Sequence, residues 1–223
     1  MDQEIVARFI HKLGNHFQLL NLVVSSLKKS LPNSRDNEIL QETLDKAIDL
    51  TRTFSDCNQT PSLASDVQLL DVIKAAAESR ISQFAASDVR LIMNFAEIPD
   101  DATIASDRYL LETALGHILQ NAFEAISGAG NIQVGGCLIP DGPRGVARVY
   151  IRDTGCGIPA REVPKVMLPF FSTKKGHDGL GLTVASRFIE LHGGTLRIKS
   201  TEGTGTEAEI LLPVERGRDV LGV

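Results

Sequence analysis

The chain has 223 residues, 43% apolar and 23% charged, enough for one large or two smaller domains with an ample core. Its 23 basic and 28 acidic side chains leave a net charge of −5, so no basic surface points to nucleic acid. The longest apolar run, FQLLNLVVSSL at 17–27, is broken by polar residues and too short to span a bilayer, and nothing at Met1 resembles a signal peptide. Neither membrane insertion nor export is expected. Cys57, Cys137 and Cys156 are odd in number and lack metal-ligand spacing, so they read as reduced thiols of a cytoplasmic protein.

Residues 1–31 have the pattern of a helix. At about 100° per residue, Val6, Phe9, Ile10, Leu13, Phe17, Leu20, Val24, Leu27 and Leu31 fall within roughly one third of its circumference. Leu19, Leu22 and Val23 widen the apolar surface, as suits a helix surrounded on several sides. Pro32 and Asn33 break the chain, and Ser34 or Asp36 can cap a second helix running to about Phe54, with Ile39, Leu40, Leu44, Ala47, Ile48 and Thr51 inward. Two helices cannot bury this much apolar surface alone, so the hairpin is expected to self-associate into a four-helix bundle. The polar stretch SDCNQTPSLASD (55–66) marks the boundary. The expected organisation is a helical hairpin over 1–58, a linker over 59–66, a second domain over 67–215 and a tail over 216–223.

In the second domain, helices are expected at about 69–86, 107–127 and 180–192, the last stopping at Gly193-Gly194. Strands are expected at 89–95, near Ile104, at 131–139 and 146–152, and in TLRIKS and TEAEILLPV, which the turn TEGTG joins. Val149 and Ile151 alternate inward against Arg148, Tyr150 and Arg152. The fold class is therefore α+β: the hairpin, then an α/β sandwich of one sheet with a helical face.

Four stretches of that domain stand out: HILQNAFEA (117–125), DTGCGI (153–158), PFFSTKK (169–175) and GLGL (179–182) leading into a helix. Taken singly, each has an ordinary explanation as a solvated asparagine, a turn or a glycine pair. Together, in order and spacing, they resemble the N, G1, F and G2 boxes of the ATP-binding fold shared by histidine kinases, Hsp90-type chaperones, type II topoisomerases and mismatch-repair ATPases. GTGT (203–206) resembles the final glycine box, and the stretch from Pro169 to Ser200 is especially similar to bacterial sensor histidine kinases.

The resemblance implies ATP and Mg²⁺ as cofactors. Asp153, an acceptor-only carboxylate, suits the exocyclic amine of adenine and disfavours the carbonyl that guanine presents there. Gly155 and Gly157 are expected to let the backbone approach the base. Asn121 resembles the family's magnesium ligand, an oxygen donor for a hard ion. Gly179, Leu180 and Gly181 precede a helix whose free amides face phosphate, Lys174, favoured over Lys175, neutralises phosphate charge, and Thr206 lies in the last glycine box. Lys175 to Asp178 would form a small lid.

RFIHKLGNHFQLL (8–20) resembles the phospho-acceptor box of histidine kinases. His11 and His16 compete for the acceptor role. With the apolar stripe near about 220° on the helical wheel, His11 falls at about 20°, open to solvent, and His16 at about 160°, on the flank of the stripe. His11 also occupies the motif position. A neutral imidazole, with an ordinary pKa of about 6.5, is a competent nucleophile toward a γ-phosphoryl group. The resemblance implies that Asn15 orients a water when phosphate is removed from the partner. His117, His177 and His192 show no catalytic partner in sequence.

Two residues depart from the family pattern. Lys12 stands where an acid normally accepts the imidazole's other N–H, which a lysine cannot do. Glu124 stands where many kinases carry a base, although the subgroup resembling nitrogen-regulation kinases carries an acid there. The resemblance implies a two-component histidine kinase transmitter, homodimeric, passing phosphate to an aspartate of a response-regulator receiver domain. A separate sensor protein or a missing sensor domain would supply the signal. The rivals are a phosphotransfer or phosphatase adaptor with weak autokinase activity, and an ATPase motor or chaperone, which leaves the hairpin unexplained.

Overall fold

The computed structural model describes residues 17–20, 22–26, 40–41, 43–44, 47–48, 51, 65–80, 87–141, 144–174, 177 and 179–215. The chain divides into two compact units, Met1–Thr60 and Pro61–Val223. In the first unit the described residues are helical. Val24, Leu44 and Ile48 are buried together, with Phe17 packed against them. In the single chain Leu20 and Leu40 are 50% and 47% exposed, alongside Leu19, Leu22 and Val23. A helix pair has one shared face, and these residues lie off it. His11, Lys12, Asn15, His16 and the tail 216–223 lie outside the described residues.

The second unit runs β1 (Ser65–Gln68), α1 (Leu69–Glu78), β2 (Val89–Glu97), β3 (Thr103–Ser106), α2 (Arg108–Ala125), β4 (Gly130–Asp141), β5 (Arg144–Asp153), α3 (Gly181–Leu191), β6 (Thr195–Thr201) and β7 (Gly205–Glu215). The sheet order is β1-β3-β7-β5-β4-β2, with β6 also paired to β7. All pairings are antiparallel except β2 with β4.

Alternation decides which face is covered. Ala147, Val149 and Ile151 of β5, and Ala208, Ile210, Leu212 and Val214 of β7, are buried. Against them lie the apolar stripes of the helices, including Leu111 and Leu115 of α2 and Phe188 and Ile189 of α3. The intervening residues form a polar outer face, where Glu209 accepts from Arg148 Nε at 2.6 Å and Lys199 Nζ at 3.2 Å. The result is the expected two-layer sandwich.

Two local differences have local causes. Of the helix expected over 69–86, Leu69–Glu78 is helical and ends where the Ser79 hydroxyl donates to the Ala76 carbonyl at 2.7 Å, offering the backbone an alternative to another turn, while 81–86 lie outside the described residues. β1 begins at Ser65, inside the stretch read as linker, because Ser65 to Gln68 pair with Ser106 to Thr103.

His192 fastens the helical layer. Its Nε2 accepts from the Asp107 amide at 3.0 Å, so Nδ1 carries the proton and donates to the Phe188 carbonyl at 2.6 Å. Asp107 is also the N-cap of α2, its Oδ1 accepting from Leu110 N at 3.4 Å. The buried imidazole thus joins the end of α3 to the start of α2. Replacing His192 by Ala is expected to destabilise the protein by about 2–3 kcal/mol, read from denaturant unfolding of the full chain. No helix among the described residues is long and apolar enough to cross a membrane.

Candidate active site

At the end of β5 the chain leaves the sheet through Asp153-Thr154-Gly155. Asp153 is buried, and its Oδ1 accepts from the Gly155 amide at 2.8 Å and the Thr206 amide at 3.3 Å. Both bonds end on one oxygen. Burial raises the Asp153 pKa above the usual carboxylate value, against these two amides and the charge of Lys174, which lower it.

The glycines around it serve the backbone's own crossing. A Cβ on Gly155 would stand 2.5 Å from the Ala125 carbonyl oxygen, at the end of α2. Gly157, at φ +67°, would place one 2.1 Å from the Thr201 oxygen. Close approach to a base was expected at both glycines; the chain's own nearest atoms at these positions are the Ala125 and Thr201 backbone. The Cys156 amide donates to the Ala125 carbonyl at 2.9 Å and the Gly203 amide to the Cys156 carbonyl at 2.7 Å, which locks the loop between α2 and the β6–β7 turn. Ser200 completes the lock. Its hydroxyl accepts from the Ile158 amide and lies 2.8 Å from the Thr206 hydroxyl. Sequence reasoning missed Ser200, because it sits in an ordinary strand and only the hairpin register brings it beside Thr206.

A second group of residues gathers at the N-terminus of α3. Leu180 is the N-cap position, and Gly179 takes φ +66°, where a Cβ would meet the backbone of Phe170 and Phe171. A Cβ on Gly181 would lie 3.5 Å from His117 Nδ1 and 3.6 Å from Asn121 Nδ2. The start of α3 therefore faces two side chains one turn apart on α2. Lys174 Nζ donates to Glu124 Oε2 at 3.0 Å and reaches the Asn121 carbonyl oxygen at 3.5 Å. Glu124 also accepts from Gln120 Nε2 at 2.8 Å, and His177 Nδ1 lies 3.6 Å from it. Burial opposes the charge of Glu124, but the Gln120 amide, Lys174 and His177 outweigh it and hold the carboxyl below its ordinary value. Glu124 is thus the anchor of Lys174. Burial and the nearby Arg80 guanidinium both lower the His117 pKa.

The structure brings Asn121, Lys174, Gly179, Leu180 and Gly181 together at one end, and Asp153, Gly155, Gly157 and Thr206 at the other. The Lys174 charge is felt at Asp153. His11 and Asn15 lie outside the described residues, as do Lys175, Gly176 and Asp178 of the expected lid. The arrangement offers a polyanion the amides of a helix N-terminus and the Lys174 ammonium, here paired with Glu124, with a buried carboxylate acceptor at the far end. Among the described residues no group of three or more His, Cys, Asp or Glu can hold a metal ion. The Asn121 side-chain oxygen suits a hard cation that keeps several waters and arrives with phosphates, which the helix N-terminus would hold.

Residues 106–216 match the family described as histidine kinase-, DNA gyrase B-, and HSP90-like ATPase. The second unit belongs to that family. Over 213 residues the chain is 26% identical to the signal transduction histidine-protein kinase AtoS of Escherichia coli (strain K12), covering 95% of this chain and 34% of that protein. The chain thus spans about a third of this relative's length. A solved mycobacterial sensor histidine kinase, MprB, superposes with a TM-score of 0.59 at 27% identity, over 69% of this chain and 99% of that one. Full-length ShkA in complex with AMPPNP superposes with a TM-score of 0.77, over 97% of this chain and 47% of that one, and at 18% identity shows likeness of fold. Within the family, the chain resembles the transmitter region of sensor histidine kinases.

Proposed function

We propose that this chain is the transmitter of a two-component system, binding Mg-ATP in its second unit and phosphorylating itself on His11. The observation that carries the reading is Asp153: a buried carboxylate held through one oxygen by two backbone amides, leaving Oδ2 to accept from the adenine amine. A buried charge without a ligand is costly, which makes such a group a mark of a binding site.

In this reading the triphosphate lies over the N-terminus of α3, with Lys174 moving from Glu124 to the phosphates. Mg²⁺, when bound, spreads the charge that builds on the transferring group. A neutral His11 nitrogen forms a bond to the γ-phosphorus as the bond to the β,γ-bridging oxygen breaks. ADP leaves with that electron pair, and the ring's other N–H proton passes to solvent. The phosphoryl group then moves to a receiver-domain aspartate of a response regulator, and Asn15 orients water when the phosphorylated partner is hydrolysed. The exposed Leu19, Leu22 and Val23 support a homodimeric four-helix bundle, which would bury them. A cytoplasmic setting is supported by the free thiols Cys137 and Cys156.

Incubation with γ-labelled ATP tests the proposal. Acid-labile, base-stable label on the wild type and none on His11→Ala is expected. ATP binding with no label on the wild type would overturn the proposal and leave the phosphotransfer or phosphatase adaptor with weak or no autokinase activity.

A further inference from the structure

We propose that Glu124 competes with the nucleotide for the Lys174 ammonium and so acts as a built-in brake on binding. Each time a triphosphate enters, the protein must exchange this ion pair for a lysine–phosphate contact. The inference rests on the ATP-site reading above and names the residue that sets affinity there.

Glu124 is engaged through both of its oxygens. Oε1 accepts from Gln120 Nε2 at 2.8 Å, while Oε2 accepts from Lys174 Nζ at 3.0 Å and lies 3.6 Å from His177 Nδ1. Gln120 stands one turn before Glu124 on α2, so the two share a face. The Gln120 amide is itself oriented. Its Oε1 accepts from Arg80 Nη1 at 3.3 Å, just beyond the end of α1, which turns the NH₂ toward Glu124. A guanidinium can only donate and a carboxylate only accept, so the run Arg80–Gln120–Glu124 has one direction. The carboxylate is thereby fixed to the helical layer.

Lys174 is the partner that moves. It lies outside the helices and strands, and its side chain is 34% exposed against 21% for Glu124. Its ammonium already reaches the carbonyl oxygen of Asn121, whose side chain faces the N-terminus of α3. A swing of the long lysine stem therefore carries the charge from the carboxylate to a phosphate held at that helix end. Glu124 opposes the exchange twice. A charge-assisted pair must break, and a fixed anion is then left near an incoming polyanion. The sign separates a brake from a support: a carboxylate that aimed the ammonium at phosphate would strengthen binding by its charge.

Calorimetry on the full chain with the β,γ-imido analogue of ATP and Mg²⁺ tests this. Glu124→Gln, which keeps the shape and removes the charge, is expected to bind the analogue about tenfold more tightly than wild type. Lys174→Met is expected to bind it about tenfold more weakly. Adding Glu124→Gln to Lys174→Met should recover no more than about threefold, because only the repulsion is then relieved. Gln120→Met leaves both charges in place and loosens the carboxylate; about threefold tighter binding is expected, and its sign decides the matter if Glu124→Gln does not fold. Unchanged or weaker binding by a folded Glu124→Gln overturns the inference and leaves the ATP site standing. The full tenfold gain in the Lys174→Met background overturns it too, since Glu124 would then act on the phosphates alone. No binding of the analogue by the wild type removes both readings.

Discussion

Asp153→Asn is expected to weaken binding of the ATP analogue about a hundredfold, read by calorimetry, without lowering the melting temperature of the unliganded chain. The substitution keeps size and shape. Its carbonyl oxygen still accepts from the Gly155 and Thr206 amides, while an NH₂ replaces Oδ2 and confronts the adenine amine donor to donor. Stability moves the other way. Because burial raises the folded pKa of Asp153 above its unfolded value, the native state retains a proton between the two values that the unfolded chain has lost. Stability therefore falls as pH rises through that window, and at neutral pH the ionised carboxylate is a net burden on the fold. Asparagine removes it. A variant that binds within about threefold of wild type would show that Asp153 does not meet the base.

The second large effect is expected at Gly205. It takes φ +129°, and an added Cβ would stand 2.1 Å from the Asp153 carbonyl oxygen and 3.2 Å from the Thr154 Cα. Those are backbone atoms at the end of β5 and cannot give way cheaply. Gly205→Ala should lower stability by about 3 kcal/mol or more and weaken nucleotide binding together with it, because the collision displaces Asp153. Gly203→Ala is the control. That residue has φ +75° but nothing within 4 Å of its Cβ position, so only the local strain of about 1–2 kcal/mol is expected. Denaturant unfolding of the two full-length variants compares them; equal losses would mean that the crossing at Gly205 is not tight.

Most of the second unit was legible because its periods are clean. The spacing of Leu110, Leu111, Ala114, Leu115 and Ile118 reads as a helix, and all five are buried in α2. Val149 and Ile151 read as inward strand residues and are 0% and 2% exposed. Boundaries read less well. The end of α1 depends on one serine hydroxyl turning back to the Ala76 carbonyl, a competition that apolar spacing does not register. In the first unit the pattern marks which residues are apolar, while burial depends on which faces meet; Leu20 and Val24 belong to the same stripe, yet only Val24 is covered.

The candidate site divides in the same way. Asn121, Asp153 and the glycines of GLGL could be picked out along the chain, because chemistry at a site demands particular residue types whatever lies around them. Glu124 was legible only as a departure. Its place beneath Lys174 and His177, the pairing of Ser200 with Thr206, and the convergence of His117 and Asn121 on Gly181 were decided by tertiary structure. Each joins positions far apart in the chain, and such contacts are set by strand register and helix packing. Local residue choice determines where the chain turns and which side is apolar; only the closing of the sheet over its helices determines which distant atoms come within 3 or 4 Å of each other.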